Sequence, residues 1–399
     1  MFKTPATLAL TFSCVGHFLF HYFAAMYFTI VIALDRAWPT SYENLIELWT
    51  PAAILIGLAA LPAGRLGDVW SAPGMLIIMF FGMGAATAAC GFADTEWMLL
   101  GFLACIGLFG AIYHPVGISW LVRSSGGATG KKLAINGVAG GLGAAAAGGI
   151  TGLFLEIADW RAAFIVPGVI CVLCGFAMLY CLRAGLIEGE TGENAKRKTA
   201  GKGNMRAFAL LLLPMFAIGL IYNTTQAAMP KLFEEGLVDM LGGNLALVGL
   251  LVAAVYVAGA VMQFLGGHLA DRYPLKFVYL VCWLGMIPML FLMAMTGNVL
   301  LFAVSALMVV LNTSALPSEN MLLSRFAPSN HQGLAFGIKF VLAFGAAPLG
   351  VLLISWTREA TGSFSPLLTG MAILATVTIL AILLLPGDAP PDTVEAPAE

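Results

Sequence analysis

Long apolar segments alternate with short polar breaks along almost the whole chain. Twelve of these segments are long enough to cross a membrane as an α-helix, which takes about 20 residues for roughly 30 Å of hydrocarbon. We place them at residues 6–34, 43–64, 74–93, 97–122, 133–157, 162–183, 206–229, 245–270, 276–296, 299–324, 333–356 and 366–385. The first segment is too long for a signal peptide and lacks a small-residue cleavage site, so we expect it to remain as a span.

One longer polar stretch divides the twelve segments into two groups of six. Residues 188–205 are rich in Gly, Lys and Glu and show no apolar periodicity, which is typical of a flexible linker. The sequence therefore predicts four parts: an N-terminal six-helix half at 1–187, a cytoplasmic linker at 188–205, a C-terminal six-helix half at 206–387, and a disordered cytoplasmic tail at 388–399.

Composition and charge support this membrane topology. Hydrophobic residues make up 60% of the chain and charged residues 10%, whereas soluble domains carry roughly 25% charged residues. Of the 19 Lys and Arg residues, fourteen fall on the side of the termini, four on the other side, and Lys339 inside a segment. This positive-inside asymmetry predicts a multi-pass protein of the inner (cytoplasmic) membrane with both termini in the cytoplasm. The net charge of −2 gives no sign of a nucleic-acid partner.

The two groups of segments resemble each other. The string "GRLGD" at 64–68 returns as "GHLAD" at 267–271, an offset of 203 residues. Arg123 and Arg325 close the fourth and tenth segments at an offset of 202 residues. Matching residues that recur at nearly the same offset indicate an internal repeat, so we expect two six-helix units in parallel orientation.

These loops and the repeat resemble the major facilitator superfamily over almost the whole chain. The second loop, "GHLADRYPLK", matches that family more fully than the first, "GRLGDVWSAP", and "DWRAAF" at 159–164 resembles the entry to its sixth helix. Within the family, "GHFLFHYF" at 16–23 and "YHPVG" at 113–117 resemble the fosmidomycin-resistance-like branch, although we expect an acid in that branch where this chain has His21. The resemblance implies an all-α membrane protein with twelve transmembrane helices in two pseudo-symmetric halves.

The family resemblance also implies alternating access around a central site lined mainly by helices 1, 4, 7 and 10. Most polar residues at membrane depth fall on those helices. The candidate substrate or proton site residues are His17, His21, His114, Asn136, Asn223, Gln226, Gln263, Asn312, Glu319, Asn320 and Lys339.

Each histidine also has a structural interpretation. His17 and His21 are four residues apart and share one helix face, where they either hydrogen-bond neighbouring helices or handle protons and substrate. His114 precedes Pro115, whose ring leaves a backbone carbonyl one turn back without its helical hydrogen bond. The structural interpretation is that the imidazole donates a hydrogen bond to that carbonyl. Small residues surround several of these polar groups and leave two alternatives open, close helix packing or an open cavity.

Glu319 and Lys339 lie at similar depth near the cytoplasmic ends of their helices. A charged side chain at the centre of a bilayer costs about 2.5–3.5 kcal/mol on insertion scales, so neither residue is expected to be idle. A structural ion pair between them is the main alternative to a role in transport. Lys339 could also extend its charge toward the cytoplasm.

Charged residues at the cytoplasmic helix ends form a second group. By the family resemblance, Asp68, Arg123, Asp271, Arg272 and Arg325 form an inter-half gate that closes the cytoplasmic side. At the other side, we expect Asp35 and Arg36 to be solvated, with an outer gate contact as the alternative.

Other functional classes find little support. The string "GGATGKK" at 126–132 lacks residues that a phosphate-binding loop requires, and all seven cysteines lie in apolar segments, where we interpret them as small filling residues. The sequence predicts no metal site and no cofactor. It shows no catalytic cluster of an enzyme and no selectivity filter of a channel, although a channel or a non-transporting membrane protein remains the alternative of a different class.

The sequence therefore predicts a secondary active transporter whose partners are a small-molecule substrate, protons and the lipid bilayer. We expect a monomer. His17, His21 and His114, together with Lys339, would form a switchable positive lining, since histidine changes charge near pH 6.5. This favours a small organic solute that is anionic or amphiphilic. Family analogy favours proton-coupled export, and proton-coupled uptake of an organic anion such as a monocarboxylate is the alternative.

Overall fold

A computed structural model describes residues 4–124, 129–187, 203–328 and 332–387. Within these ranges eleven helices are long and apolar enough to span a membrane, and a bent pair of helices supplies a twelfth. The spans are α1 (Pro5–Ala37), α2 (Tyr42–Leu58 and Ala60–Val69), α3 (Ala72–Cys90), α4 (Glu96–Arg123), α5 (Thr129–Ile157), α6 (Trp160–Arg183), α7 (Met205–Gly236), α8 (Leu245–Arg272), α9 (Leu275–Met295), α10 (Asn298–Phe326), α11 (Gln332–Thr361) and α12 (Ser365–Leu384). The predicted all-α membrane fold is confirmed.

Two predicted parts of the chain lie mostly or wholly outside the described residues. Residues 188–202 of the linker predicted at 188–205, and the tail predicted at 388–399, are among them. Both predictions remain untested. We call the side of the bundle where α1 begins and α12 ends the termini side, and the opposite side the far side.

Short polar side chains set where many of the helices begin. The side chains of Ser71, Thr95, Asp159, Asn204 and Asn244 each accept a hydrogen bond from a backbone N–H in the first turn of the helix that follows. Such caps satisfy backbone donors that have no partner inside the helix. They explain why the observed helices start close to the predicted positions.

Two helix ends lie well beyond the predicted ones. Helix α7 continues to Gly236 and α11 to Thr361, whereas hydropathy predicts ends at 229 and 356. The additional turns carry charged residues that pair with one another across the far side of the bundle. Hydropathy predicts a helix end at such residues, because the scale scores every charged side chain as if it were solvated.

Prolines bend two spans that the sequence pattern predicts as continuous. Helix α2 bends by 40° between Leu58 and Ala60, one turn before Pro62, whose ring clashes with the carbonyl four residues back. Helix α4 widens into a π-helical turn at Tyr113–Gly117 around Pro115. Wide turns of this kind interrupt the regular hydrogen bonding of a helix and change the direction of its side chains.

Glycines allow the two halves, α1–α6 and α7–α12, to approach closely. A Cβ atom on Gly148 of α5 would lie 2.8 Å from the carbonyl oxygen of Gly249 on α8, and one on Gly249 would lie 2.2 Å from that of Gly148. Both backbones therefore touch at this crossing, as small residues permit in membrane helices. The glycines of α5 therefore serve close helix packing at this crossing.

Candidate functional site

A central cavity lies between the two halves and has a volume of about 170 Å³. Its wall comes from α1, α2, α7, α10 and α11, and most of it is aromatic or aliphatic. The predicted site residues that line it are His21, Asn223, Gln226, Asn312, Glu319 and Lys339. Helix α4 contributes no residue to this wall, because its Gly107 packs directly against the backbone of Ala52 on α2. The expected lining by helices 1, 4, 7 and 10 is therefore correct only in part.

Three imidazoles gather beside this cavity, and we call His17, His21 and His114 the imidazole cluster. The Nε2 atoms of His17 and His21 are 3.2 Å apart. The ring centroid of His114 lies 5.3 Å from that of His17 and 5.5 Å from that of His21. The wide turn around Pro115 places His114 against α1, where its ring contacts Phe344 of α11.

His17 is held from three directions. Its Nδ1 lies 2.8 Å from the backbone carbonyl oxygen of Asn136 on α5, which can only accept, so Nδ1 carries the proton and donates. The Tyr113 ring stacks on it at a centroid distance of 4.8 Å. A Cβ atom on Gly140 would lie 2.6 Å from the His17 ring, so this position needs a glycine.

Asn136 has a structural environment and lies away from the cavity. Its Nδ2 donates to the Tyr113 hydroxyl at 2.8 Å and to Ser13 Oγ at 3.2 Å. The Tyr113 hydroxyl in turn donates to the Ser13 carbonyl oxygen at 2.8 Å. This buried network ties α1, α4 and α5 together. Sequence reasoning missed Ser13 and Tyr113, because tyrosine and serine are ordinary residues of membrane helices.

Glu319 and Lys339 form an ion pair between α10 and α11 in the cavity wall. Lys339 Nζ lies 2.7 Å from Glu319 Oε1 and donates to Asn320 Oδ1 at 2.6 Å. Tyr279 of α9 donates its hydroxyl proton to Glu319 Oε2 at 2.5 Å. Glu319 is 0% exposed. The predicted pair is thus present, and Tyr279 is a partner that the sequence did not indicate.

The amides of the cavity contact neighbouring groups. Asn223 Nδ2 donates to the carbonyl oxygens of Gly219 at 2.7 Å and Ala343 at 3.0 Å, which joins α7 to α11. Asn312 donates to the Ile218 carbonyl oxygen at 3.4 Å. The Nδ2 groups of both amides are therefore used in contacts between helices.

Gln263 is the predicted site residue farthest from this arrangement. It is exposed and lines a separate cleft on the termini side, together with His268 and Asp271. Its flanking Gly259 and Gly266 pack against α10. The small residues beside it therefore serve helix contact and form no part of the central cavity.

Ion pairs cross between the halves on the far side of the bundle. Lys231 Nζ of α7 lies 3.0 Å from Asp35 Oδ2 of α1. The Arg358 guanidinium of α11 lies 3.0 Å from Glu43 Oε1 of α2 and 2.8 Å from Glu235 Oε1 of α7. We call this set the far-side network; its members are Asp35, Arg36, Glu43, Lys231, Glu234, Glu235 and Arg358.

The far-side network bears on one expectation from the sequence. Asp35 and Arg36 were expected to be solvated, and Arg36 is exposed while Asp35 is partly buried. Both also pair with the other half, Asp35 with Lys231 and Arg36 with Glu234. The reason is that α7 extends two turns beyond its predicted end and carries these partners to α1. The alternative of an outer gate contact is the one that the structure shows.

The predicted gate on the termini side looks different in this conformation. Asp68 Oδ1 and Arg123 Nη1 are 3.7 Å apart, but both residues belong to the N-terminal half. Asp271, Arg272 and Arg325 lie exposed at the ends of α8 and α10. A gate between the halves at this side stays a prediction.

Comparisons with known proteins agree with this architecture. Residues 10–238 and 211–399 match the profile of the Major Facilitator Superfamily. A relative in Bacillus subtilis (strain 168), the uncharacterized MFS-type transporter YfnC, is 26% identical over 297 residues, which cover 73% of this chain and 72% of that protein.

Solved structures show the same fold at low sequence identity. A bacterial homologue of the human lysosomal transporter Spinster, in an inward-facing and occupied conformation, is 14% identical with a TM-score of 0.73 and covers 96% of this chain and 94% of that chain. Its inward-facing, unoccupied structure is 15% identical with a TM-score of 0.70 and covers 96% and 95%. None of these similarities singles out the fosmidomycin-resistance-like branch, so that finer resemblance stays a prediction.

Proposed function

The chain belongs to the Major Facilitator Superfamily, and on that premise we propose that it is a secondary active transporter that moves a small organic anion together with a proton. One observation carries the proposal. The cavity wall holds a fully buried carboxylate, Glu319, in an ion pair with Lys339 at 2.7 Å.

The pair links anion binding to proton binding. An anionic solute in the cavity competes with Glu319 for Lys339, the cation in the wall. If the solute wins, the Glu319 carboxylate remains buried with only the Tyr279 hydroxyl as a partner, and a buried charge without a counter-ion is costly. A proton on Glu319 removes that cost, so proton and anion favour each other's binding.

Thermodynamic reciprocity then gives the direction of coupling. If a proton on Glu319 increases the affinity for the anion, the anion increases the affinity for the proton by the same factor. Both ligands are bound in one state of the carrier and both are absent in the other. Such a carrier moves them in the same direction, which is cotransport and supports uptake down a proton gradient.

The cavity lining supports an amphiphilic solute. Phe28 and Trp49 supply aromatic surface to the cavity wall, and Asn223 and Gln226 supply hydrogen-bonding groups. Ligand sites of this kind hold the body of the solute by apolar contact and orient it by a few polar groups. A carboxylate or phosphonate on an apolar body matches this distribution.

The crowding of the imidazole cluster is the reason to place the coupling proton on Glu319. Three rings within 5.5 Å of one another repel strongly if more than one is charged, because the interior screens charge poorly. Their capacity for switchable positive charge is therefore limited. The titratable groups described in contact with Glu319 are Lys339 and Tyr279, neither of which is a second carboxyl group or an imidazole.

Proton-coupled export is the second candidate, and the same pair supports it for a different solute. A cationic solute could replace Lys339 beside Glu319, with the aromatic cavity wall offering cation–π contacts. Proton and solute would then compete for one carboxylate. Competition of this kind produces exchange in opposite directions, as the family analogy favours.

We also propose that the termini side faces the cytoplasm of an inner (cytoplasmic) membrane and that the protein acts as a monomer. The distribution of Lys and Arg supports the orientation, and the two halves that enclose the cavity belong to the same chain, which supports a monomer. Labelling of single cysteines from each side of intact cells tests the orientation: reagent that reaches the start of α1 only from outside would contradict it.

Proton flux in reconstituted vesicles tests the coupling. Purified protein is placed in vesicles with an internal pH dye, and a panel of organic anions, phosphonates and lipophilic cations is added at zero membrane potential. We expect an accepted anion to acidify the interior as it enters. Alkalinisation driven by a cation would favour the export candidate, and transport without any pH change would overturn proton coupling.

The variant Glu319→Gln separates coupling from transport. It should still exchange labelled anion for unlabelled anion but move no protons, because the titrating group is gone. Glu359→Gln is the matched control, since Glu359 is an exposed carboxylate on α11 and its loss should leave proton flux unchanged. Normal proton flux in Glu319→Gln would overturn the assignment of Glu319.

A further inference from the structure

The imidazole cluster has features that neither the ion pair nor the helix packing explains. Each of its three histidines offers one ring nitrogen, and these three atoms all lie within 4.8 Å of one another. The chain supplies them from α1 and from the wide turn of α4, and His21 and His114 are 93 residues apart in sequence. This separation is the reason that the sequence predicts no metal site.

The spacing of the nitrogens is close to that of ligands on one ion. A tetrahedral Zn²⁺ with Zn–N distances of about 2.0–2.1 Å holds its ligands about 3.3–3.4 Å apart. The Nε2 atoms of His17 and His21 are already 3.2 Å apart. Histidines at positions i and i+4 of a helix are a known arrangement for two ligands of one metal. The third nitrogen, on His114, lies within 4.8 Å of both.

His17 is oriented as a metal ligand should be. Metal-bound histidines usually donate their other ring N–H to a carbonyl or carboxylate, which fixes the tautomer and leaves the ligating nitrogen free. His17 donates from Nδ1 to the carbonyl oxygen of Asn136 at 2.8 Å. Its Nε2 lone pair therefore points toward His21. Gly140 leaves the room for this ring position.

Within the described part of the chain, no polar group accounts for the burial of the His114 nitrogens. Both ring nitrogens are out of contact with solvent, and neither has a hydrogen-bond partner among the described residues. Its ring is surrounded by Phe20, Phe340 and Phe344. Buried polar groups in proteins are nearly always satisfied, and an exception calls for a specific explanation such as an unseen ion.

We propose that the imidazole cluster binds one divalent transition-metal ion of the zinc class, with Nε2 of His17, Nε2 of His21 and one ring nitrogen of His114 as ligands. Three imidazole ligands suit Zn²⁺, Cu²⁺ or Ni²⁺ and do not suit Mg²⁺ or Ca²⁺, which require oxygen. His21 lines the central cavity, so the site lies beside that cavity. A water molecule or an anion in the cavity completes the tetrahedron there.

Co²⁺ is the probe for this site, because four-coordinate Co²⁺ absorbs visible light far more strongly than the six-coordinate hydrated ion. The full-length protein is purified with a tag that contains no histidine and is treated with a chelator. We expect titration to end at one Co²⁺ per chain, with the intense four-coordinate spectrum, and added Zn²⁺ to displace the Co²⁺. Zn²⁺ should also raise the unfolding temperature, since a ligand that binds only the native state stabilises it.

Single variants assign the ligands. His114→Gln should weaken Co²⁺ binding by more than about 100-fold, which is the upper end of the effect of removing a mere hydrogen-bond partner of a ligand. It should fold normally, because His114 has no hydrogen bond to lose. His268→Gln is the matched control: His268 is exposed on α8, away from the cluster, and its loss should change nothing.

His21→Gln gives an independent test of the same ligand set, because its single described hydrogen bond is to His17. If His114→Gln fails to fold, this variant decides, with the same expected loss of affinity. A weak six-coordinate spectrum in the wild-type protein would overturn the proposal. Binding that is equal in His114→Gln, His21→Gln and His268→Gln would overturn it as well. Neither result depends on the direction of transport or on Glu319.

Discussion

At the scale of single residues, the buried charges of the cavity are the most informative feature. Depth along the helices made a pair between Glu319 and Lys339 a reasonable expectation, and the structure adds Tyr279 and Asn320 as hydrogen-bond partners. A buried pair of this kind stabilises the fold little by comparison with an apolar pair, but removing one member leaves an uncompensated charge. This asymmetry makes the pair testable.

The first prediction concerns that asymmetry. Glu319→Gln alone and Lys339→Met alone should each destabilise the protein by about 3–5 kcal/mol. The double variant should regain most of this loss, because no charge is left unpaired. Thermal unfolding in detergent measures the stabilities, with Glu359→Gln as the control for loss of an exposed carboxylate. A double variant as unstable as the worse single variant would contradict the pairing.

At the scale of helices, glycines and prolines decide how the elements meet. Pro62 bends α2, and Pro115 widens α4 at the turn that carries His114. The glycines of α5 allow that helix to contact α1 and α8 at backbone distance. The functional geometry therefore depends on residues that carry no chemistry of their own.

The second prediction compares two glycines of α5. A Cβ atom on Gly140 would lie 2.6 Å from the His17 ring, whereas one on Gly137 would have no heavy atom within 4 Å. Gly140→Ala should destabilise the protein by about 1–3 kcal/mol through overpacking. Gly137→Ala should be neutral or stabilise it by up to about 1 kcal/mol through helix propensity.

Thermal unfolding of the two variants, measured side by side, checks this difference. Gly140→Ala should also weaken Co²⁺ binding, because it displaces the His17 ring. Equal stability of the two variants would show that α5 does not pack against the imidazole cluster as closely as described.

At the scale of the whole molecule, the ion pairs show which side of the cavity is closed. The far-side network joins α1 and α2 to α7 and α11, and its Arg358 is 9% exposed. Asp68 and Arg123 of the predicted gate on the termini side pair within a single half. The far-side network fits a conformation held shut at the far side.

The third prediction concerns the equilibrium between conformations. Arg358→Gln removes contacts to Glu43 and Glu235 and should favour the state open at the far side by about 1–2 kcal/mol, or roughly 5–30-fold in population. Arg161→Gln is the matched control, because Arg161 pairs with Asp94 on the same side but inside one half. Labelling rates of single cysteines placed in the cavity wall, with reagent applied from the far side, measure the shift.

Weakening the predicted gate on the termini side should shift the equilibrium between conformations in the opposite direction. Asp271→Asn should increase labelling of the same cavity cysteines from the termini side, because it weakens the state closed there. Unchanged labelling in both Arg358→Gln and Asp271→Asn would mean that neither set of charges controls access to the cavity.

The sequence predicted which residues belong to the candidate site better than it predicted how they are arranged. Polar residues at membrane depth stand out in an apolar chain, and Glu319, Lys339 and His21 do line the cavity. Asn136 and Gln263 stand out equally, yet one ties three helices together and the other lies in a separate cleft. Depth along a helix is a local property, but the direction a side chain faces depends on helix rotation and on bends such as that at Pro115.

The sequence by itself determined the class of protein and the approximate number of spans, because hydropathy reports directly on transfer of a segment into a bilayer. It also indicated the two-half repeat, because similar residues recur at nearly the same offset along the chain. Only the tertiary structure decided that Lys231 meets Asp35, that Tyr279 meets Glu319, and that three histidines gather. These contacts join residues that lie from four to almost two hundred positions apart in the chain. Which distant residues meet is decided by how helices pack against one another, and that packing depends on the shapes of all the side chains between them.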